Sequence, residues 1–223
     1  MIIDNIKYLI FDYGDVLAYP ITGHWFITPE FYSIIGKKEI DLSKFNNGVS
    51  KASEYISAEM KTENEEYEIF KKVYEIILNE LEIDGDIRDK AMLIARDFVY
   101  SDRKHRLYKE VIKYLEKLSK KYKLILLSDN WPCANRLMRH WGISKYFEKT
   151  YISSKYKAVK SDKVFFDYPI NEFNIKKGEA IFIDDKEELL DIAKEKGLEV
   201  ILMDRKNAVK NSKYKVIKSL KEI

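Results

Sequence analysis

Three apolar runs, each stopping at a polar or acidic side chain, constrain this chain more than anything else in it. They are Tyr8-Leu9-Ile10-Phe11-Asp12, Leu124-Ile125-Leu126-Leu127-Ser128, and Ala180-Ile181-Phe182-Ile183-Asp184-Asp185. Helical patterns fall between and after them. Leu107, Val111, Leu115 and Leu118 predict one helix, a second follows Pro132, and a third lies around Val164 to Phe166. Leu189, Ile192 and Ala193 predict another, stopped by Gly197 ahead of the strand Val200-Ile201-Leu202-Met203, and Tyr151-Ile152 is a short candidate strand. Strands alternating with helices argue for an α/β fold, a Rossmann-like doubly wound parallel sheet with helices on both faces.

The segment between the first and second runs is different. It opens with an aromatic loop from Tyr19 to Phe26 and is then helical by pattern as far as Val99. Phe70, Val73, Tyr74, Ile77 and Leu81 recur at helical spacing, as do Ala91, Ile94, Ala95, Phe98 and Val99, with the turn Asp84-Gly85-Asp86 between the sets. This block reads as an inserted all-helical domain over 18–102, leaving 1–17 and 103–223 for the α/β core. There is no internal repeat and no low-complexity segment.

Composition narrows the partners. A chain of 223 residues with 46% hydrophobic content is globular and long enough for a large core. Forty basic against thirty-seven acidic residues leave a charge of only +3, with lysines dispersed among glutamates. That pattern is a solvated surface, so no nucleic-acid partner is expected, while small phosphorylated molecules stay open. No apolar stretch approaches the roughly 18 residues of a membrane span, so no membrane partner is expected. The lone Cys133 forms no internal disulfide, and the start Met1-Ile2-Ile3-Asp4-Asn5 has no leader-like run; a cytoplasmic location is expected. Pattern says nothing about oligomeric state.

Open parallel sheets place their ligand site outside the carboxyl ends of the strands, where Asp12, Ser128 and Asp184 all fall. Crowding Asp12, Asp184 and Asp185 is costly unless a cation sits among them, and an all-oxygen cluster suits Mg2+. The competing reading makes each aspartate a helix cap, which is the better one for an isolated residue. Three in one layer favour a site.

These residues carry a family resemblance. Phe11-Asp12-Tyr13-Gly14-Asp15-Val16-Leu17, the strand ending in Ser128, Lys160 in Val159-Lys160-Ser161-Asp162, and Phe182-Ile183-Asp184-Asp185 resemble the four ordered motifs of the haloacid dehalogenase (HAD) superfamily. The helical insertion between the first two resembles the cap of its subfamily I phosphatases, and the likeness spans essentially the whole chain. It implies that Asp12 is a nucleophile passing through an aspartyl-phosphate. Ser128 would hydrogen-bond a phosphoryl oxygen, and Lys160 would neutralise charge on the phosphoryl group and Asp12. Asp184, Asp12 and the Gly14 carbonyl would ligate Mg2+, with Asp185 acting through a metal-bound water. Phosphoryl transfer asks for little beyond this positioning and charge compensation.

Four positions depart from the family pattern. Gly14 stands where many members carry an aspartate that serves as general acid and base, a role typically worth about 10² to 10⁴ in rate. Ser161 replaces a proline, Lys157 a glycine, and Asp129 an asparagine that here follows one step later as Asn130. Asp15, one step along the turn, should point elsewhere and suits a left-handed turn position. Asp129 and Asn130 are candidate substrate contacts, with helix capping the preferred role for Asp129. His24 could supply the missing proton, although a packing histidine is the preferred reading. Burial is the safer reading for Trp25, Phe26, Trp131 and Cys133, and Lys206 to Lys221 reads as a solvated helix and loop face.

The expected protein is thus a Mg2+-dependent phosphatase for a small phosphorylated metabolite. A sugar phosphate is favoured because relatives with glycine at this position include sugar phosphate phosphatases. Two alternatives stay open: a metal-independent 2-haloacid dehalogenase, and a non-catalytic HAD-like ligand-binding or interaction protein.

Overall fold

The computed structural model describes residues 5–223; Met1 to Asp4, read above for a leader, lie outside the described residues. In chain order the elements are β1 (Tyr8–Phe11), β2 (Ala18–Pro20), α1 (Phe31–Ile35), α2 (Leu42–Lys51), α3 (Ser53–Ile56), α4 (Glu63–Glu80), α5 (Ile87–Tyr100), β3 (His105–Leu107) and α6 (Val111–Ser119). There follow β4 (Lys123–Ser128), α7 (Cys133–His140), β5 (Phe147–Ile152), α8 (Asp167–Glu172), β6 (Ala180–Asp184), α9 (Glu187–Glu195), β7 (Glu199–Met203) and β8 (Val216–Ile217). The chain divides into two compact units. One runs up to Tyr19 and takes in Leu107–Asn130 and Ala134–Ile223; the other comprises Pro20–Arg106 and Trp131–Cys133.

The first unit is built on a six-stranded parallel sheet in the order β5-β4-β1-β6-β7-β8. It is the Rossmann-like α/β fold expected. All four residues of β1 are buried, because a central parallel strand is covered on both faces. Tyr8 and Ile10 share a core with Leu189, Leu190 and Ala193 of α9, while Leu9 and Phe11, which alternate with them, are also fully buried. Pairing of Phe11 with Leu126 on one side and Ile183 on the other brings the carboxyl ends of β4, β1 and β6 level. That register positions the site.

The second unit is helical. Thr62 and Glu65 form a capping box that starts α4, with the Thr62 hydroxyl accepting from the Glu65 N–H and the Glu65 carboxylate from the Thr62 N–H. The apolar stripes of α4 and α5 meet around Phe70, Tyr74 and Phe98, and the Phe70 and Phe98 rings also pack with Phe26 and Trp131. Gly48 of α2 lies so close to α4 that a Cβ there would be 2.8 Å from the Ile77 Cα. Among the described residues no helix is long and apolar enough to cross a membrane.

Three local expectations are corrected. Leu107 ends strand β3 and does not join a helix, because Tyr108 to Glu110 make a turn, with the Val111 N–H on the Tyr108 carbonyl at 3.0 Å, and α6 starts only at Val111. Tyr19 and Pro20 lie in β2, which forms a two-stranded ribbon with β3, so the aromatic loop starts later than its composition suggests. The lysine-rich tail is not a solvated face throughout. It contributes β8 to the sheet edge and buries Ile217 and Leu220, because two apolar residues suffice to extend a parallel edge although they leave no readable period.

Candidate active site

The site grows from the end of β1. Asp12 extends the ladder by donating its N–H to the Ile183 carbonyl (3.0 Å), and the chain then folds into a turn in which the Tyr13 carbonyl accepts from the N–H groups of Leu17 and Ala18. The left-handed residue of this turn is Asp15, at φ 50°, a conformation that aspartate tolerates because its short side chain can bond locally. Its carboxylate faces Lys206 Nζ (3.1 Å) and the Tyr108 hydroxyl (3.4 Å). Asp15 is thus tied to Lys206 and Tyr108, while its charge still bears on Asp185.

Lys160 is the hub. Its side chain is 3% exposed, and its ammonium lies 2.9 Å from Asp12 Oδ1 and 2.6 Å from Asp184 Oδ2. The competing lysines Lys155, Lys157 and Lys163 are all exposed. Burial opposes the charge on Lys160, but Asp12, Asp184 and Asp129 outweigh it and hold the amine protonated, above the usual lysine range. At the other end of the residue, the Lys160 N–H donates to Asp129 Oδ1 at 2.9 Å. Asp129 is therefore not a cap for α7, which begins four residues later at Cys133; it ties β4 to the Lys160 loop.

Asp184 is fully buried and accepts from the Lys186 N–H (3.0 Å). Burial raises its carboxyl despite Lys160, with Asp12 adding to the rise. Burial together with Asp12, Asp184 and Asp15 pushes Asp185 up to about 7. One oxygen from each of Asp12, Asp184 and Asp185 lies within 4.8 Å of the others. Like charges about 5 Å apart repel by roughly 3 kcal/mol at an effective dielectric constant of 20, so one ammonium leaves the cluster short of positive charge. All donors are oxygens, and Ser128 Oγ at the end of β4 is buried without a hydrogen-bond partner, so the residues present fit a hard divalent cation together with an anionic ligand.

Asn130 is 8% exposed; its N–H donates to Ser153 Oγ (3.0 Å), which donates in turn to the Asn130 carbonyl. Asp129 is open to solvent, yet the protein around its carboxyl pushes it up to about 6: burial is the main cause, Lys160 offsets it in part, and Asp12 and Asp184 add to it. His24 belongs to the second unit. Its Nδ1 accepts from the Phe26 N–H and its Nε2 faces Asn46 Oδ1 (3.2 Å), and its ring packs edge-on against Phe45. The structure therefore assembles Asp12, Asp129, Lys160, Asp184 and Asp185 in one cluster, with Ser128 and Asn130 on the same strand end as Asp129 and Gly14 in the adjoining turn. Sequence reasoning did not single out Tyr108 or Arg205. Arg205 donates from Nε (3.1 Å) and Nη2 (2.5 Å) to the Val16 carbonyl, pairs with Glu110, and lies 4.1 Å over the Tyr108 ring. The signal available was weak, a single arginine past a strand among many basic residues.

The sequence profile of the haloacid dehalogenase-like hydrolases matches residues 38–203. The chain belongs to this family. The matched span of this haloacid dehalogenase-like hydrolase includes Ser128, Lys160 and Asp184 and begins after Asp12. Solved structures cover the rest. YfnB from Bacillus subtilis, bound to magnesium, superposes with a TM-score of 0.72 at 14% identity over 98% of this chain and 96% of that one. A 2-haloacid dehalogenase from Pseudomonas syringae gives 0.67 at 15% over 97% and 96%, and a HAD phosphatase from Thermococcus onnurineus gives 0.61 at 19% over 97% and 95%. At these identities the likeness is one of fold. Comparison with curated protein sequences gives no significant match.

Proposed function

We propose that this hydrolase is a Mg2+-dependent phosphatase that cleaves a small phosphorylated metabolite, a sugar phosphate first among the candidates, through an aspartyl-phosphate on Asp12. The observation that carries the reading is the acidic cluster: Asp12, Asp184 and Asp185 bring three carboxylates together, two of them on the Lys160 ammonium. Displacing a halide from carbon needs no metal ion, whereas compensating charge on a phosphoryl group calls for a cation besides the lysine. Asp12, Asp184, the Gly14 carbonyl and, through water, Asp185 would hold Mg2+, which when bound supplies charge compensation to the phosphoryl oxygens.

This chain's own residues do the rest. Lys160 holds the Asp12 carboxylate in place beside its ammonium, ready to attack phosphorus. The unpartnered Ser128 hydroxyl donates to a phosphoryl oxygen, which relieves its own buried deficit. The magnesium in the Bacillus subtilis neighbour and the phosphatase from Thermococcus onnurineus support the reading by analogy.

The dehalogenase neighbour from Pseudomonas syringae keeps a second reading in play, hydrolysis of a 2-haloacid by Asp12 without metal. One panel separates them: phosphate release from sugar phosphates and other phosphorylated metabolites with and without Mg2+, and chloride release from 2-chloropropionate in EDTA, each with Asp12→Asn alongside. Mg2+-dependent phosphate release that is abolished in the variant is the expected outcome. Metal-independent chloride release sinks the phosphatase reading, and the absence of both activities with ligand binding intact points to a non-catalytic binding protein.

A further inference from the structure

A phosphatase with Gly14 after its nucleophile needs a proton source elsewhere, and three acids or bases compete for the role. Asp15 is engaged by Lys206 and Tyr108. His24 spends both ring nitrogens on Phe26 and Asn46 within the helical unit. Asp129 follows Ser128 at the end of β4, the neighbour of β1, and is open to solvent. One of its oxygens holds the Lys160 N–H at 2.9 Å, and the Lys160 ammonium touches Asp12, so one residue links Asp129 to the nucleophile.

Resting on the phosphatase reading, we infer that Asp129 is the general acid and base of the reaction, the catalytic residue that replaces the aspartate missing at Gly14. In the first step an Asp12 oxygen bonds to phosphorus as the bond from phosphorus to the ester oxygen breaks, and the Asp129 carboxyl gives its proton to that oxygen, which leaves as an alcohol. In the second, water attacks phosphorus and gives a proton back to the Asp129 carboxylate, and the acyl-phosphate bond breaks to release Asp12 and inorganic phosphate. Each turnover consumes one water and returns both carboxyls to their starting states. The groups facing Asp129 suit this cycle. Lys160 holds one Asp129 oxygen through its backbone N–H and stabilises the ionised form left after donation, while exposure keeps the carboxyl open to the leaving group and to water.

Asp129→Asn tests the assignment, since an asparagine oxygen can still accept from the Lys160 N–H and only the transferable proton is lost. Wild type and variant are compared with Mg2+ on glycerol 3-phosphate, a poor leaving group, and p-nitrophenyl phosphate, a good one. The variant should lose about 10²-fold or more in kcat/KM on the first and only a few-fold on the second. Because the acid must be protonated, wild-type kcat/KM on glycerol 3-phosphate should fall as pH rises through the Asp129 titration, and that limb should vanish in the variant. Equal losses on both substrates, or none on either, overturn the assignment and leave Asp129 as a structural tie. If the wild type itself releases phosphate from neither ester, the phosphatase reading fails first and the assignment with it.

Discussion

Single side chains in this molecule are held in place by charge, and Lys160 shows how much depends on one of them. Removing its ammonium leaves Asp12 and Asp184 buried without their counter-charge, and breaking a buried pair from one side costs about 3–5 kcal/mol. Lys160→Met should lose that much stability at pH 8 in EDTA, measured by urea unfolding, and less at pH 5, where a carboxyl can take up a proton instead. Glu66 poses the converse case. Its Oε2 accepts from the Cys133 N–H at 2.8 Å, but Oε1 is buried without a partner, and burial raises the carboxyl further than Lys104 and the Cys133 bonds lower it, with Glu63 adding to the rise. A carboxyl raised in the folded state ionises more readily when unfolded, so its contribution erodes stability as pH climbs from the ordinary carboxylate range to its folded value. Glu66→Gln should therefore unfold at higher urea than wild type at pH 8, with the gain shrinking by pH 4; a pH-independent difference would contradict this. Legibility at this scale was uneven. Asp12, Ser128 and Asp184 stand out because each ends an apolar run. Lys160 needed its register with Asp162 and Phe166, since four lysines within nine residues look alike in sequence and only packing buries one of them.

At the scale of elements, ends and crossings matter more than propensity. Thr62→Ala should cost about 1 kcal/mol by breaking the capping box of α4, a loss readable as a lower urea midpoint. Gly48→Ala is the sharper case. Alanine favours an exposed helix interior by about 1 kcal/mol, but here its Cβ would meet the Ile77 backbone, and overpacking costs about 1–3 kcal/mol, so the variant should be less stable. A gain in melting temperature would show that α2 can retreat from α4 at no cost. Long periodic elements such as α4, α5 and β4 could be read from pattern because their burial repeats over several residues. β2, β3 and β8 could not, because two or three residues hold no full period and their pairing is decided by what lies beside them. The length of β5 was underread for a related reason: its first four residues are incompletely buried and mix polar with apolar side chains, so only Tyr151-Ile152 stood out.

Across the whole molecule the anchoring is concentrated in few places. Arg205 joins the turn after β1, the start of α6 and the carbonyl of Lys218 (3.2 Å), and no single-point cation reproduces its fork. Arg205→Lys should lower stability by about 2–3 kcal/mol in thermal unfolding. Breaking the exposed Lys213 to Asp191 pair should change nothing measurable, because surface pairs are screened. The helical excursion has one more property. Near its two ends the Ile21 N–H bonds the Lys104 carbonyl at 3.0 Å, one residue beyond the ribbon of β2 and β3. The segment from Pro20 to Arg106 thus departs and returns through a single doorway, and an excursion with coincident ends imposes no distance on what it connects. Helices inside it can change length without prising β2 from β3, so long as the seats of Trp131 and Cys133 in their shared core are kept.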